Sequence, residues 1–455
     1  MSLAFTSIRL RNWRQFEEVE IDVHPRLTVI TGANGAGKST ILNLFSQHFG
    51  YARPFLATPK KKKGGGIAYD SGYYARSNFF AEESADDELD DEDELEIAAR
   101  IRSENRFFKK LDPPVLGEFI NIGEISYSND VVSSLGYHDQ QVNAYGITVP
   151  MQQPVLGVAI GSHRTVAAYQ PVQGLSLATI EIAQAYQSFI NEYWTRLNGG
   201  HTGFSPIYRM KESLIAMAAF GEGNSYLESN QVLSDAFVGF VKILRKVLPR
   251  ELGFQKLVVR VPDVVMKTRT GEFTVDSGSG GINAIIEIAW QIYLFSLTHP
   301  VFVATLDEPE NHLHPAMQRT ILKNLIDAFP NVQFIVATHS PFIVSAVEDS
   351  SVYALRYVGG GDTRSGLPRY GARRVQSVYL DQTTKAGTAS EILREVLGVS
   401  VGIPDWAQVR LDGIVDRYEG VEIDVEALKT LRIDLASAGF SEFYPEALAR
   451  LVEGR

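Results

Sequence analysis

Hydrophobic and polar positions change rhythm along this chain, and each rhythm predicts an element. Ile8 and Leu10 alternate with Arg9 and Arg11, and Val19, Ile21 and Val23 alternate with Glu20 and Asp22. A period of two is the mark of half-buried strands. Residues 27–30 are too continuously apolar for that and predict a buried parallel strand, followed by a helix to about His48. A strand and turn are expected at 124–129, and apolar strands at 155–160, 257–261, 301–306 and 334–337. Thr270-Gly271, between 264–267 and 273–275, signals a hairpin. Helical spacing covers 175–197, 231–247, 282–297 and 315–329; in the second of these, Val232, Phe237, Phe240, Val241 and Leu244 are expected on one face. Four short helices are expected at 388–397, 404–418, 425–437 and 442–452.

The rhythm breaks between residues 51 and 114. Lys60 to Lys63, then Gly64 to Gly66, precede a block from Glu82 to Glu96 with eleven acids and no bases. Few of these residues can build a core, so the segment reads as an insertion or exposed loop. A self-neutralising solvated loop is the commoner meaning of such charge; an electrostatic arm that contacts or mimics nucleic acid is the alternative. The block also explains the net charge of −11, because the rest of the chain is formally neutral. Charge therefore neither suggests nor forbids a nucleic-acid partner. The 455 residues, 45% hydrophobic, suffice for one large core with insertions or for two to three domains. With no cysteine, disulfides and thiolate metal sites are excluded. The first residues lack the apolar stretch of a signal peptide, and no run approaches about 18 apolar residues. A cytoplasmic chain without a membrane span is the expectation.

The chemistry centres on Gly32-Ala33-Asn34-Gly35-Ala36-Gly37-Lys38-Ser39-Thr40, between the buried strand and its helix. Glycines let the backbone turn its N–H groups inward, and the helix N-terminus adds partial positive charge. Lys38 can reach β- and γ-phosphates, and the Ser39 hydroxyl can ligate Mg²⁺. Downstream, the strand at 301–306 ends in Asp307 and Glu308. Paired acids there can simply cap a helix; beside a P-loop, Asp307 is expected to support Mg²⁺ and Glu308 to act on the attacking water. His339 ends the next apolar strand, about one helix later, where it can read the γ-phosphate. Asp276-Ser277-Gly278-Ser279-Gly280-Gly281 opens a second helix with a glycine-rich turn. It is either a plain flexible turn or a second phosphate-binding end, which one nucleotide needs only if two copies face each other.

This order of motifs resembles the ABC-type ATPase heads of the SMC, RecF and OLD group, the AAA-family ATPases of bacterial genomes. The matching residues are Gly32 to Thr40 as Walker A, Ser279-Gly280-Gly281 as the signature, Leu306 to Glu310 as Walker B, Asn311-His312-Leu313-His314-Pro315 as the dimer-contact loop and His339 as the switch histidine. Asn12-Trp13-Arg14-Gln15-Phe16 is similar to a segment near the N-terminus of these heads, which implies that Arg14 touches the nucleotide. Ser162-His163-Arg164 resembles a segment of stand-alone members. The resemblance covers residues 1–50 and about 255–345 well and the middle loosely. The signature lacks its usual leading leucine and trailing glutamine, and Gln152 and Gln153 are the candidates for the Q-loop glutamine. Sustained heptads for an SMC coiled coil are missing, and no acid pattern after Val352 suits an OLD-type nuclease centre.

The resemblance implies an α/β P-loop NTPase of ABC-ATPase type. Its mixed central sheet is flanked by helices and carries a helical insertion lobe and a small helical C-terminal region. The expected divisions are head strands and Walker A at 1–50, a charged insertion at 51–118, further head strands at 119–174, a helical lobe at 175–254, the signature-to-histidine part at 255–350, and a C-terminal strand, loop and helices at 351–455. The implied activity is ATP hydrolysis with Mg²⁺ by a homodimer or larger homo-oligomer. Its implied role is sensor or regulator of a separately encoded effector, such as a nuclease, in antiphage defence. A nucleotide-gated scaffold that sequesters a toxin and a DNA-repair ATPase are the alternatives. The latter would use Arg364, Arg369, Arg373 and Arg374 with Tyr370 for DNA, although a solvated loop is the commoner meaning of such a cluster.

Overall fold

The computed structural model describes residues 3–61, 66–72, 118–138, 140, 142–164, 168–175, 181–200, 202–358, 374–381, 385, 387, 389–393, 405–418 and 424–453. Outside them lie residues 62–65, the acidic block 82–96, Arg364, Arg369, Tyr370 and Arg373, residues 176–180 of one expected helix and both ends of the expected helix at 388–397. The chain divides into two compact units, Met1–Ile392 and Leu393–Arg455.

In the first unit the strands are β1 (Phe5–Trp13), β2 (Phe16–Asp22), β3 (Leu27–Gly32), β4 (Phe55–Leu56), β5 (Thr58–Lys61), β6 (Ile67–Asp70), β7 (Phe119–Tyr127), β8 (Val132–His138), β9 (Ala144–Tyr145), β10 (Gly157–Ile160), β11 (Phe254–Arg260), β12 (Asp263–Thr268), β13 (Gly271–Thr274), β14 (Phe302–Asp307), β15 (Val332–Thr338), β16 (Ser351–Val358) and β17 (Arg374–Tyr379). The helices are α1 (Lys38–Ser46), α2 (Ile182–Leu197), α3 (Pro206–Gly221), α4 (Gln231–Val247), α5 (Gly280–Ser296), α6 (Pro315–Ala328), α7 (Pro341–Val344) and α8 (Ala389–Glu391).

A ten-stranded mixed sheet runs β10-β14-β15-β3-β16-β17-β2-β1-β7-β8. From β10 to β16 every pairing is parallel. All residues of β3 and β15 are buried, as strands covered on both faces require. At the other end β2, β1, β7 and β8 pair antiparallel, and the alternation read in β1 becomes burial of Phe5, Ile8, Leu10 and Trp13. Phe5, Phe45 and Tyr127 bring β1, α1 and β7 into one core, with the Phe5 and Phe45 rings edge-on at 4.8 Å. Each such buried side chain contributes about 1.5–3 kcal/mol. Parallel strands end on the same side, so β3, β14 and β15 deliver Gly32, Asp307 and Thr338 to one edge.

Helices α2 to α6 pack on one another, and β11, β12 and β13 form a separate three-stranded sheet against α3 and α4. Twelve of the seventeen residues of α5 are buried, as a helix apolar on all sides must be. In α4 the buried face differs from the expected one. Leu233, Ala236, Phe240, Val241, Leu244 and Val247 are covered, whereas Val232 is 62% exposed. Period 3.6 fits both sets, and packing chose the one rotated toward Leu233. Inside this layer Lys211 is fully buried, bonded to Asp276 at 2.5 Å and Asp263 at 3.1 Å. It ties the residue before the glycine-rich turn to α3.

The second unit contains α9 (Asp405–Val415), α10 (Val425–Ser437) and α11 (Tyr444–Glu453). Asp424 caps α10 by accepting from the N–H groups of Glu426 and Ala427, and Gly439 ends it at a positive φ of 84°. Leu411, Leu431, Leu435, Phe440 and Leu451 form its core.

Candidate functional site

The loop from Gly32 to Lys38 is built on positions that only glycine fills comfortably. Gly37 has φ 97°, and a Cβ there would lie 2.4 Å from the Phe16 ring and the Gln15 amide. Gly32 has φ 145°, with the Leu355 carbonyl 2.5 Å from its absent Cβ. The loop therefore closes tightly between β3 and α1, with Gly35 at φ 78°. Ala36 is buried, and its N–H donates to the Ala33 carbonyl at 3.2 Å. Tyr357 Oη donates to the Asn34 carbonyl at 3.4 Å, holding the outer limb against β16. Lys38 is 5% exposed, and its Nζ donates to the Gly32 and Ala33 carbonyls at 3.0 and 3.1 Å. Burial lowers its pKa to about 8, against the pull of Glu308, Asp307 and Glu310.

Two groups from neighbouring strand ends line up beyond this lysine. His339 Nδ1 lies 3.4 Å from Lys38 Nζ, and His339 Nε2 lies 3.6 Å from Glu308 Oε1. An ammonium only donates, so facing Lys38 makes Nδ1 the acceptor and puts the ring proton on Nε2, toward Glu308. The His339 pKa is lowered, first by burial and then by Lys38, with Glu308 opposing, so the ring is neutral at pH 7. The other Glu308 oxygen, Oε2, accepts from Asn311 Nδ2 at 3.0 Å, leaving Oε1 as the working face. Glu308 has φ 46°, a conformation side chains seldom adopt, and its N–H donates to the Ala337 carbonyl at 2.8 Å.

Burial raises the Asp307 pKa, opposed chiefly by the neighbouring Ser39 hydroxyl. Asp307 Oδ1 is buried and has no hydrogen-bond partner among the described residues. Ser39, Thr40 and Asp307 line a cleft of about 210 Å³ together with Gly161, Arg53 and Trp194. The Arg53 guanidinium rests over the Trp194 ring at 5.4 Å, and Tyr51 stacks on the same indole at 4.9 Å.

Other expected residues sit elsewhere. The Arg14 side chain lies over Phe55, 5.6 Å from the ring centroid, and its N–H donates to the Gly72 carbonyl. Its neighbour Gln15 is the residue of that segment that reaches the loop, donating from Nε2 to the Gly35 carbonyl at 3.3 Å. Gln153 is engaged with Asn129 and with the Met151 carbonyl, in the loop before β10; the Gln152 N–H donates to the Val149 carbonyl. In the glycine-rich turn, Ser279 Oγ caps α5 by accepting from the Ile282 N–H at 3.4 Å. A Cβ on Gly280 would lie 3.7 Å from His312 Cβ, and one on Gly281 only 2.8 Å from the His312 carbonyl. The turn thus packs on the loop that follows Glu310.

Two residues gain roles that the sequence left open. Glu310 Oε1 accepts from Thr338 Oγ1, the His339 N–H and the Ser340 N–H, so this buried carboxylate shapes the histidine loop. Asn311 Nδ2 donates to the Ser162 carbonyl as well as to Glu308, linking the loop after β10 to the acids. Among the described residues no cluster of three His, Cys, Asp or Glu side chains can hold a metal, so a metal here would rely on one carboxylate and a hydroxyl. No described helix is long and apolar enough to cross a membrane.

Known proteins match both halves of this arrangement. A family model described as "AAA domain" matches residues 7–106, and one described as "AAA domain, putative AbiEii toxin, Type IV TA system" matches residues 292–345. The "Retron Vc95 probable ATPase" of Vibrio cholerae is 34% identical over 86 residues, 18% of this chain and 17% of that protein. The Septu protein PtuA of Bacillus mycoides is 23% identical over 176 residues, 36% of this chain and 21% of that protein. The matches thus span about a fifth of the length of these relatives. The SMC head domain from Thermotoga maritima aligns over 83% of this chain and 99% of its own, at 12% identity and a TM-score of 0.39. With its P-loop between β3 and α1 on a large mixed sheet flanked by helices, and segments that match AAA-domain models on both sides of the site, the chain has the α/β fold of a P-loop NTPase.

Proposed function

We propose that this chain binds ATP with Mg²⁺ at Gly32–Thr40, hydrolyses it, and pairs face to face with a second copy as it does so. The observation that carries this reading is the row Lys38–His339–Glu308, with 3.4 and 3.6 Å between successive polar atoms. A cation for phosphate, a neutral imidazole and a carboxylate with one oxygen turned toward that imidazole are groups suited to in-line attack of water on a phosphoryl group.

Lys38 exchanges its bonds to the Gly32 and Ala33 carbonyls for phosphate oxygens. Glu308 Oε1 accepts the proton of the attacking water, with Oε2 held by Asn311. His339 donates from Nε2 to the transferring group. Ser39 and Asp307 fit Mg²⁺: a hydroxyl beside a carboxylate whose buried Oδ1 is unpartnered among the described residues suits a hard cation. The chemistry supplied by the bound ion is neutralisation of charge on the phosphate oxygens. Residues 32–40 line the nucleotide from one subunit, with Gln15 bracing the loop at the Gly35 carbonyl; Ser279, Gly280 and Gly281 approach it from the other. Hydrolysis then removes part of what holds the pair closed.

The retron and Septu relatives support a role in bacterial antiphage defence, with the ATPase regulating a separately encoded effector such as a nuclease. Phosphate release by the purified full chain tests the activity. Wild type is expected to release phosphate from ATP and Lys38→Ala to release none; equal release from both would overturn the assignment.

A further inference from the structure

The loop after β10 holds a cation that the mechanism above leaves unused. β10 pairs in parallel with β14, with Ile160 opposite Leu306, so Gly161 to Arg164 emerge beside Asp307. Arg164 Nη1 donates to the Gly161 carbonyl. Its Nε and Nη2 are buried and have no hydrogen-bond partner among the described residues. A guanidinium is a rigid fork of five donors that stays charged at every accessible pH. Leaving two of its nitrogens dry is costly unless a ligand completes them.

The surroundings indicate what that ligand is. Gly161 lines the same cleft as Ser39 and Asp307. The loop is anchored on both sides. Asn311 Nδ2 joins the Ser162 carbonyl to Glu308 at 3.0 Å each, and the Gly161 N–H donates to Tyr193 Oη of α2 at 3.0 Å. The loop that carries Arg164 is thus tied through Asn311 to Glu308. Arg164 is one of the cations acting on the Asp307 carboxylate, so it belongs to the side of the cleft where Asp307 stands. We propose that Arg164 is a ligand of the terminal phosphate of ATP, supplied by the same subunit that holds Lys38, and that it makes the site prefer triphosphate over diphosphate.

The proposal rests on the ATP site above and is tested separately from it. Calorimetric titration of the full chain with the imido analogue of ATP and with ADP is run on wild type, Arg164→Lys and Arg164→Ala. A charge-assisted hydrogen bond is worth about 1.5–3 kcal/mol, so Arg164→Ala is expected to bind the analogue about 10- to 100-fold more weakly while ADP affinity stays within about twofold. Arg164→Lys, a point charge without the fork, is expected to fall between them and carries the test if the alanine variant does not fold. Equal weakening of both nucleotides, or no change in either, overturns the role of Arg164 and leaves the ATP site standing. Failure of wild type to bind either nucleotide overturns both.

Discussion

Glu310 Oε1 accepts the backbone N–H of His339 at 2.8 Å, so a carboxylate after one strand fixes the backbone that presents the histidine after the next. The same oxygen takes the Ser340 N–H at 3.2 Å and Thr338 Oγ1 at 2.5 Å. Glu310→Gln keeps an acceptor there and is expected to retain the fold. Glu310→Ala removes the acceptor of Thr338 Oγ1 and of the His339 N–H, while the Ser340 N–H keeps Thr338 Oγ1 at 2.9 Å, and is expected to cost about 2–3 kcal/mol, read by urea unfolding. Equal stability of the alanine variant and wild type would show that the brace is dispensable.

Lys38 gives the nucleotide-free protein a recognisable pH dependence. Its pKa falls from 10.5 unfolded to about 8 folded. Between those values the unfolded chain still holds the proton and the folded chain has released it. This residue therefore adds stability as pH rises from about 8 to about 10.5, and the burial penalty is fully present below about 8. Thermal unfolding at pH 7.5 and 9.5 should show wild type gaining on Lys38→Met across that interval. A constant difference between them would mean the ammonium is well solvated.

For His339 the shift has the same sign, at lower pH. Burial and the neighbouring Lys38 hold its pKa below the usual 6.5, so it stays neutral, with its proton on Nε2, throughout the physiological range. His339→Gln is expected to lower phosphate release about a hundredfold. The part of the wild-type pH profile that this substitution removes should have its acid limb below pH 6.5. Activity that falls as pH rises through this limb would mean instead that the working form is the imidazolium.

Ser279 tests the paired arrangement. Its hydroxyl caps α5, a contact worth about 1 kcal/mol, so Ser279→Arg should remain folded with a slightly lower Tm. Monomer binding of ATP should persist while the ATP-dependent rise in mass seen by light scattering is lost. Normal pairing by the variant would remove the glycine-rich turn from the interface.

The parts of this site legible in the sequence are those set by local chain geometry. A glycine-rich turn between a buried strand and a helix declares itself within nine residues, because Gly32, Gly35 and Gly37 must each adopt positive φ. Asp307 and His339 were legible for the same reason, as polar residues closing apolar strands. Contacts made across the sheet were not. Nothing in Asn12-Trp13-Arg14-Gln15-Phe16 says that Gln15, rather than Arg14, touches the Gly35 carbonyl; the tight β1–β2 turn, with Asn12 and Arg14 both at positive φ, decides it. Glu310 was visible as one acid among several, but its three donors come from residues 338–340. The buried Lys211 cluster joins positions 211, 263 and 276, a pairing no periodicity encodes.

The measurement nearest the centre of this account compares ATP binding and phosphate release in one protein, Glu308→Gln. The substitution keeps the size of the side chain and its hydrogen bond to Asn311 but removes the proton acceptor. Binding affinity is expected to match wild type within a few-fold, with turnover reduced at least a hundredfold. Undiminished phosphate release from Glu308→Gln would contradict the account, because the carboxylate beside His339 would then have no part in the chemistry.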